Sequence, residues 1–359
     1  MTPPPLAVME LLDSSGESMK PRFDRSLARD VESLVAPGGA LHALVTNPGT
    51  KDGEPLDVHL REGNIVTLYL GLTKLLDIRL MAAAVKLSAD SFYREQTAAR
   101  AIFPSQDNSA QVLPHQLVSA WDTYRDNLQV QKGKVGQEGP WQTRLSRRYG
   151  PGFRTTDPWC VIDRECVIGY PNARMRKAIL DDLKARHTPV AQALRANQEL
   201  RLKKGSQELR GNEVDALAVT PRGDLFIMEV KHGRDAAGLY SSPIQLWGYL
   251  EQWRKLREAQ PGLRESINQM IEQRKRLKLL PEHAPTLREG FELKPLVMVG
   301  GPPPSPEVLR RLNGVRELVE RFHPSSVGGL AIEQIEPSEA EVEQGPIPMA
   351  AEPSDTAAH

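Results

Sequence analysis

Residues 213–231 read EVDALAVTPRGDLFIMEVK, two apolar runs, 214–219 and 225–230, separated by Pro221-Arg222-Gly223-Asp224. Short aliphatic and β-branched runs on either side of strong turn formers predict a β-hairpin. Folded about Arg222, the hairpin sets Asp215 opposite Glu229 and Glu213 opposite Lys231. Directly opposed residues on one face of an antiparallel pair have Cβ atoms roughly 4.5–5.5 Å apart, and like charges there destabilise the sheet. Two carboxylates so placed need a compensating cation.

Hard ions such as Mg²⁺ take oxygen ligands and are usually held by one or two carboxylates together with water and substrate phosphate. Leu225, Ile227, Glu229 and Lys231 share one strand face, apolar early and charged at its end, where a site opens to solvent. Asp215 followed by Glu229-Val230-Lys231 resembles the PD-(D/E)xK nuclease superfamily. The resemblance implies a restriction-endonuclease-like fold and a hydrolytic site. Asp215, Glu229 and the Val230 carbonyl would hold Mg²⁺ or Mn²⁺, and Lys231 would orient or deprotonate the attacking water. The competing reading is an exposed hairpin end in which Lys231 bridges Glu213, an interaction worth about 0–1 kcal/mol.

A second motif follows the hairpin. Ser242-Pro243-Ile244-Gln245 predicts a helix start, with Ser as N-cap, Pro at the first position and Gln closing a capping box. Leu246, Leu250 and Trp253 form its buried stripe, while Gln245 and Tyr249 lie one turn apart on a neighbouring edge. Gln245-Leu246-Trp247-Gly248-Tyr249 is similar to the Q-x-x-x-Y helix of the RecB-like branch of the same superfamily. There that helix lines the DNA-binding side of the site, which implies a catalytic role for Gln245 and a substrate-binding role for Tyr249.

Composition sets the class. The chain has 359 residues, 40% hydrophobic and 26% charged, with formal net charge +0, as for a globular protein of about two domains. A neutral balance assigns nucleic-acid contact to local patches rather than to the overall field. Two cysteines, Cys160 and Cys166, are too few for a disulfide framework or a Cys-based zinc site and suit a reducing compartment. The opening residues lack a basic segment followed by a long apolar core, and no apolar span reaches membrane length, so a cytoplasmic protein without a membrane partner is expected.

Residues 1–140 are read as an N-terminal α+β accessory domain, with a short helix over 26–36, a hairpin about Glu62-Gly63-Asn64, and helices over 91–103 and 113–130. His42, His59 and His115 have no ligand spacing there and read as structural. The polar run QKGKVGQEGP, 131–140, reads as a linker. Residues 150–335 form the nuclease-like domain and 336–359 a disordered acidic tail.

Within the second domain, 159–162 and 166–170 are expected to pair with each other, 172–187 to form a basic amphipathic helix ending before Pro189, and 198–204 to form a strand. The superfamily's further upstream ligand is left open among His187, Asp181, Asp182 and Glu199. The basic run at 274–278 reads first as a solvated face and second as a phosphate contact, and Gly300-Gly301 before a Ser305-Pro306 helix start is a weak phosphate signal. Strand and helix order give an α/β class with an α+β mixed sheet flanked by helices. The functional expectation is a metal-dependent deoxyribonuclease acting in genome defence or repair. The alternative is a nuclease-like module that binds nucleic acid or a protein partner without cutting. A homodimer and a partner bound by the first domain are compatible with either.

Overall fold

The computed structural model describes residues 11–12, 18–103, 109–130, 138–209, 211 and 213–335. Most of the opening segment, residues 131–137 of the polar linker and the acidic tail at 336–359 lie outside the described residues. The chain is mixed α/β with two five-stranded sheets.

The first sheet is an antiparallel meander of β1 Asp57–Arg61, β2 Ile65–Leu70, β3 Thr73–Leu80, β4 Val85–Ser88 and β5 Ala110–Val112, in that spatial order. The hairpin read about Gly63-Asn64 is present, with Arg61 paired to Ile65 and both turn residues at positive φ. Helix α1, Pro114–Asn127, lends Leu117, Trp121 and Tyr124 to the core of this unit. The helix expected over 26–36 shrinks to Arg29–Glu32. Side chains from elsewhere take the backbone amides before it: Phe23 N–H bonds Gln260 and Leu27 N–H bonds Gln273, which holds that stretch extended. The expected 91–103 helix is likewise broken into Ser91–Arg94 and a 3₁₀ turn Thr97–Ala101.

The second sheet runs β6 Cys160–Val167, β7 Glu213–Val219, β8 Leu225–His232, β9 Leu293–Gly300 and β10 Ala331–Gln334. The first three strands are antiparallel and the last three parallel, so it is a mixed sheet. Helix α2, Gly139–Tyr149, covers one face with Leu145 and Tyr149 against Val161, Met228, Val230 and Met298. The other face is covered by α3 Ala173–Ala196, α4 Ala236–Ala259, α5 Leu263–Arg276 and α6 Pro306–Phe322. No helix among the described residues is long and apolar enough to cross a membrane.

Four local readings are corrected. Residues 159–162 and 166–170 do not pair with each other; they belong to one strand, β6, paired with β7. The intervening Asp163 and Arg164 are buried in an ion network and continue the strand. Helix α3 continues through Pro189 to Ala196, because the turn beyond the proline buries Val190, Ala191 and Leu194. Helix α4 begins at Ala236 with Asp235 as N-cap, two turns before the expected start. There Ser242 turns its hydroxyl back onto the Gly238 carbonyl at 2.9 Å instead of capping. The strand expected over 198–204 is a short 3₁₀ turn, Gln198–Leu200, followed by irregular chain whose Lys203 N–H bonds the Tyr240 hydroxyl.

Candidate functional site

The β7–β8 hairpin closes through a tight turn in which Thr220 N–H bonds Asp224 and Gly223 takes φ 82°, a left-handed value that favours glycine. Its register runs from Val219↔Leu225 to Ala216↔Met228, the register obtained by folding the sequence about Arg222. There the paired ladder ends. One residue further, the Asp215 carboxylate accepts from the Val230 N–H at 2.7 Å, a side chain taking the place of a backbone acceptor. Alternation along β8 sends Leu225 and Ile227 into the core under α4 and Phe226, Met228 and Val230 to the α2 side. Glu229 and Lys231 continue the α4 face, but that strand end is buried rather than open to solvent as expected.

Glu229 is 1% exposed and Lys231 7% exposed. The Lys231 ammonium pairs with Glu229 Oε1 at 2.7 Å and Glu138 Oε1 at 3.1 Å, and donates to the Val230 carbonyl oxygen at 3.1 Å. Burial opposes the charge on Lys231, yet Glu229, Asp215 and Glu138 outweigh it and hold the lysine above its ordinary range. Burial pushes the Glu229 carboxyl up to about 8; Asp215 adds to the rise and Lys231 opposes it. Burial also raises Glu138, against the pull of Lys231. Glu165 is pushed up to about 7 by burial, with Arg164 opposing and Glu213 and Asp215 reinforcing. The cluster therefore carries more carboxylate than its ammonium balances.

Tyr249 faces this group. Burial first, then Glu229, Asp215, Glu213 and Glu138, push its phenol upward. A Cβ added at Gly211, just before β7, would meet the Tyr249 hydroxyl at 3.0 Å, so the chain entering the hairpin packs directly on it. Gln245 closes no capping box, since α4 starts earlier, and its buried Oε1 has no hydrogen-bond partner among the described residues. Glu229 Oε2 is also buried and unpartnered. Such orphaned oxygens are rare in folded proteins and call for an explanation.

A hard divalent cation fits that explanation. Asp215 and Glu229 offer carboxylate oxygens, one of them buried and without a partner among the described residues, and the Val230 carbonyl adjoins them. The carbonyl presently accepts from the Lys231 ammonium. Among the described residues no three His, Cys, Asp or Glu side chains form a ready-made cage, so water and substrate oxygens would complete the shell, as is usual for Mg²⁺.

Two residues of this cluster were invisible in the sequence. Glu138 lies in the run that reads as a linker and Glu165 between the two apolar runs expected to pair; neither has a local spacing that would select it. The upstream candidates are placed elsewhere. His187 bonds the Gln207 carbonyl at 2.7 Å and stacks on Trp247; Asp181 pairs with Lys177, Asp182 pairs with Lys255, and the Glu199 carbonyl accepts from Arg310. His59 is structural, buried between Asp57 at 2.9 Å and Asp163 at 3.1 Å. In the basic run, Arg274 is neither solvated nor free for phosphate: it is buried, donating to Asp163 and to the Ile162 carbonyl. Gly300 serves packing, since a Cβ there would overlap the Trp141 ring. No family model, no curated protein and no solved structure matches the chain.

Proposed function

We propose that the protein is a metal-dependent nuclease that hydrolyses phosphodiester bonds of DNA, with a restriction-endonuclease-like centre at the end of the β7–β8 hairpin. One observation carries the reading: Glu229, buried beside Asp215, keeps one oxygen bonded to Lys231 while the other has no partner among the described residues. Asp215, Glu229 and the Val230 carbonyl would hold Mg²⁺ or Mn²⁺, which supplies charge neutralisation at the phosphate and a more acidic water. Lys231 enters charged, because the carboxylates around Nζ hold its proton. From there it orients the attacking water and opposes the negative charge growing on the phosphate oxygens. When the carboxylate charge is otherwise compensated, Nζ yields its proton more readily and can serve the same water as base. Gln245, whose Oε1 has no partner among the described residues, would orient water or sugar, and Tyr249 would border the strand being cut. A cytoplasmic role in genome defence or repair suits this chemistry and the two free cysteines.

A second reading, a module that retains nucleic acid or a protein partner without cutting, is favoured by the ammonium's occupation of the Val230 carbonyl. Circular and linear DNA incubated with a panel of divalent ions separates the two. The nuclease reading predicts Mg²⁺-dependent or Mn²⁺-dependent products that vanish in folded Lys231→Ala and Asp215→Ala proteins. Equal cleavage by all three proteins rejects it. DNA retention without metal and without product supports the second reading.

A further inference from the structure

Helix α2 joins the first sheet to the candidate site. Its polar side is buried: Gln142 Oε1 and Thr143 Oγ1 accept from the Arg164 guanidinium at 2.9 and 3.3 Å, and Ser146 Oγ lies 3.3 Å from His59 Nε2. Arg147 donates to the Leu56 carbonyl at 2.7 Å, at the edge of β1. Its apolar side packs Leu145 and Tyr149 among Met228 and Val230, the strand that carries Glu229 and Lys231. The helix is therefore wedged between the two units and has little freedom to shift against either.

Its first residue meets the turn between β2 and β3. A Cβ added at Gly139 would stand 2.8 Å from the Leu72 backbone nitrogen and 3.1 Å from Gly71 Cα, too close for any residue but glycine without displacing that turn. Gly71 takes φ 56°, and its carbonyl accepts from Arg164 at 2.8 Å, so the turn is itself anchored to the second sheet. The residue just before Gly139 is Glu138, whose carboxylate lies 3.1 Å from Lys231 Nζ.

We propose that the Gly71-Leu72 turn of the first unit is a positioning element of the candidate site. It seats the N-terminus of α2 so that Glu138 and Glu229 grip the Lys231 ammonium from two directions. Glu138 is then a positioning residue, acting through Lys231, and the first unit is a working part of the centre rather than an appended module. The inference rests on the reading of Lys231 as a working group, but its geometry can be tested without cleavage.

The experiment uses the full chain without metal or DNA. Lys231 is labelled with a water-soluble amine-reactive reagent and its modification rate is followed by peptide mass spectrometry, with Lys294 as internal reference. Glu138→Gln and Gly139→Val each raise Lys231 labelling several-fold while Lys294 is unchanged, and Glu138→Asp restores part of the protection. In the double variant the increase does not exceed that of Glu138→Gln alone, the non-additivity expected of two changes acting through one contact. With active protein and DNA, the same variants lower kcat by about tenfold at unchanged KM, the pattern of a misplaced catalytic group rather than lost binding. Unchanged labelling in Glu138→Gln, unchanged labelling in Gly139→Val, or additive increases in the double variant would each overturn the proposal. If Gly139→Val does not fold, Gly139→Ala carries the same Cβ contact and takes its place. A wild type that cuts no DNA defeats the nuclease reading, and the labelling result still decides this one.

Discussion

Helix α2 touches two groups of buried charge, and they are balanced in opposite senses. Where the units meet, Asp163 is fully buried and faced by His59, Arg61 and Arg274, with Arg25 at 3.9 Å, while Asp57 holds His59 and Arg164. Burial alone would raise both acids, yet the surrounding cations hold Asp57 and Asp163 below the usual carboxylate range. At the hairpin end Glu229 is buried to the same degree, but its neighbours are Asp215 and Glu138 with Lys231 as the opposing charge, and its carboxyl rises to about 8. Depth is thus common to both groups and says little about role. A buried network closed by guanidinium groups fastens the units together, whereas one left short of positive charge is prepared to receive some.

The largest expected effects break one group without touching the other. Lys231→Ala lowers kcat for DNA cleavage by about 10²–10⁴-fold, the usual contribution of a positioned proton-handling group, while circular dichroism remains native. Arg274→Met strips one guanidinium from fully buried Asp163, leaving Arg61 and His59 in place, and is expected to cost about 1.5–3 kcal/mol in urea unfolding, the usual size of a charge-assisted hydrogen bond. A stability loss below about 1 kcal/mol would show that the junction network is not closed in the sense argued.

Metal addition sharpens the contrast. Mg²⁺ or Mn²⁺ at a hundredfold excess over its dissociation constant should stabilise the wild type by about 2.7 kcal/mol, and Arg274→Met by the same increment, because its site is intact. Glu229→Gln should show little of that gain.

The smallest effect is in pH. Glu229 has a raised carboxyl, from 4.5 to about 8, so between these values the folded protein binds more protons than the unfolded chain, and stability falls as pH rises through the window. Glu229→Gln should flatten that limb. Asp57 and Asp163 have lowered values, so their contribution is present above their unfolded pKa and is lost as pH falls below it. The acid limb of a urea-midpoint profile in metal-free buffer should accordingly persist in Glu229→Gln. A neutral limb unchanged by that substitution would contradict the assignment.

What the sequence made legible is local. Alternation and the Pro221-Arg222-Gly223-Asp224 turn lead to the hairpin, its register and the face shared by Glu229 and Lys231, because period-two patterning and turn chemistry need only neighbouring residues. Gln245 and Tyr249 lie one turn apart on α4, but the helix starts earlier than expected, since a capping rule cannot foresee Ser242 bonding back to Gly238. Asp163-Arg164-Glu165 lies beyond the reach of such local rules. Nothing local marks three charged residues in a row as the middle of a buried strand, since the groups that enclose them come from remote segments. Glu138 depends on where α2 is seated, a question settled by packing between the units and by no spacing along the chain.

The most direct test of the central claim is a count of Mn²⁺ bound at neutral pH, followed by electron paramagnetic resonance, in wild type, Asp215→Asn, Glu229→Gln and Arg274→Met. The charge-imbalance account predicts Mn²⁺ binding in the wild type and in Arg274→Met that is lost in Asp215→Asn and Glu229→Gln. Equal binding by all four proteins, or none by the wild type, would contradict it.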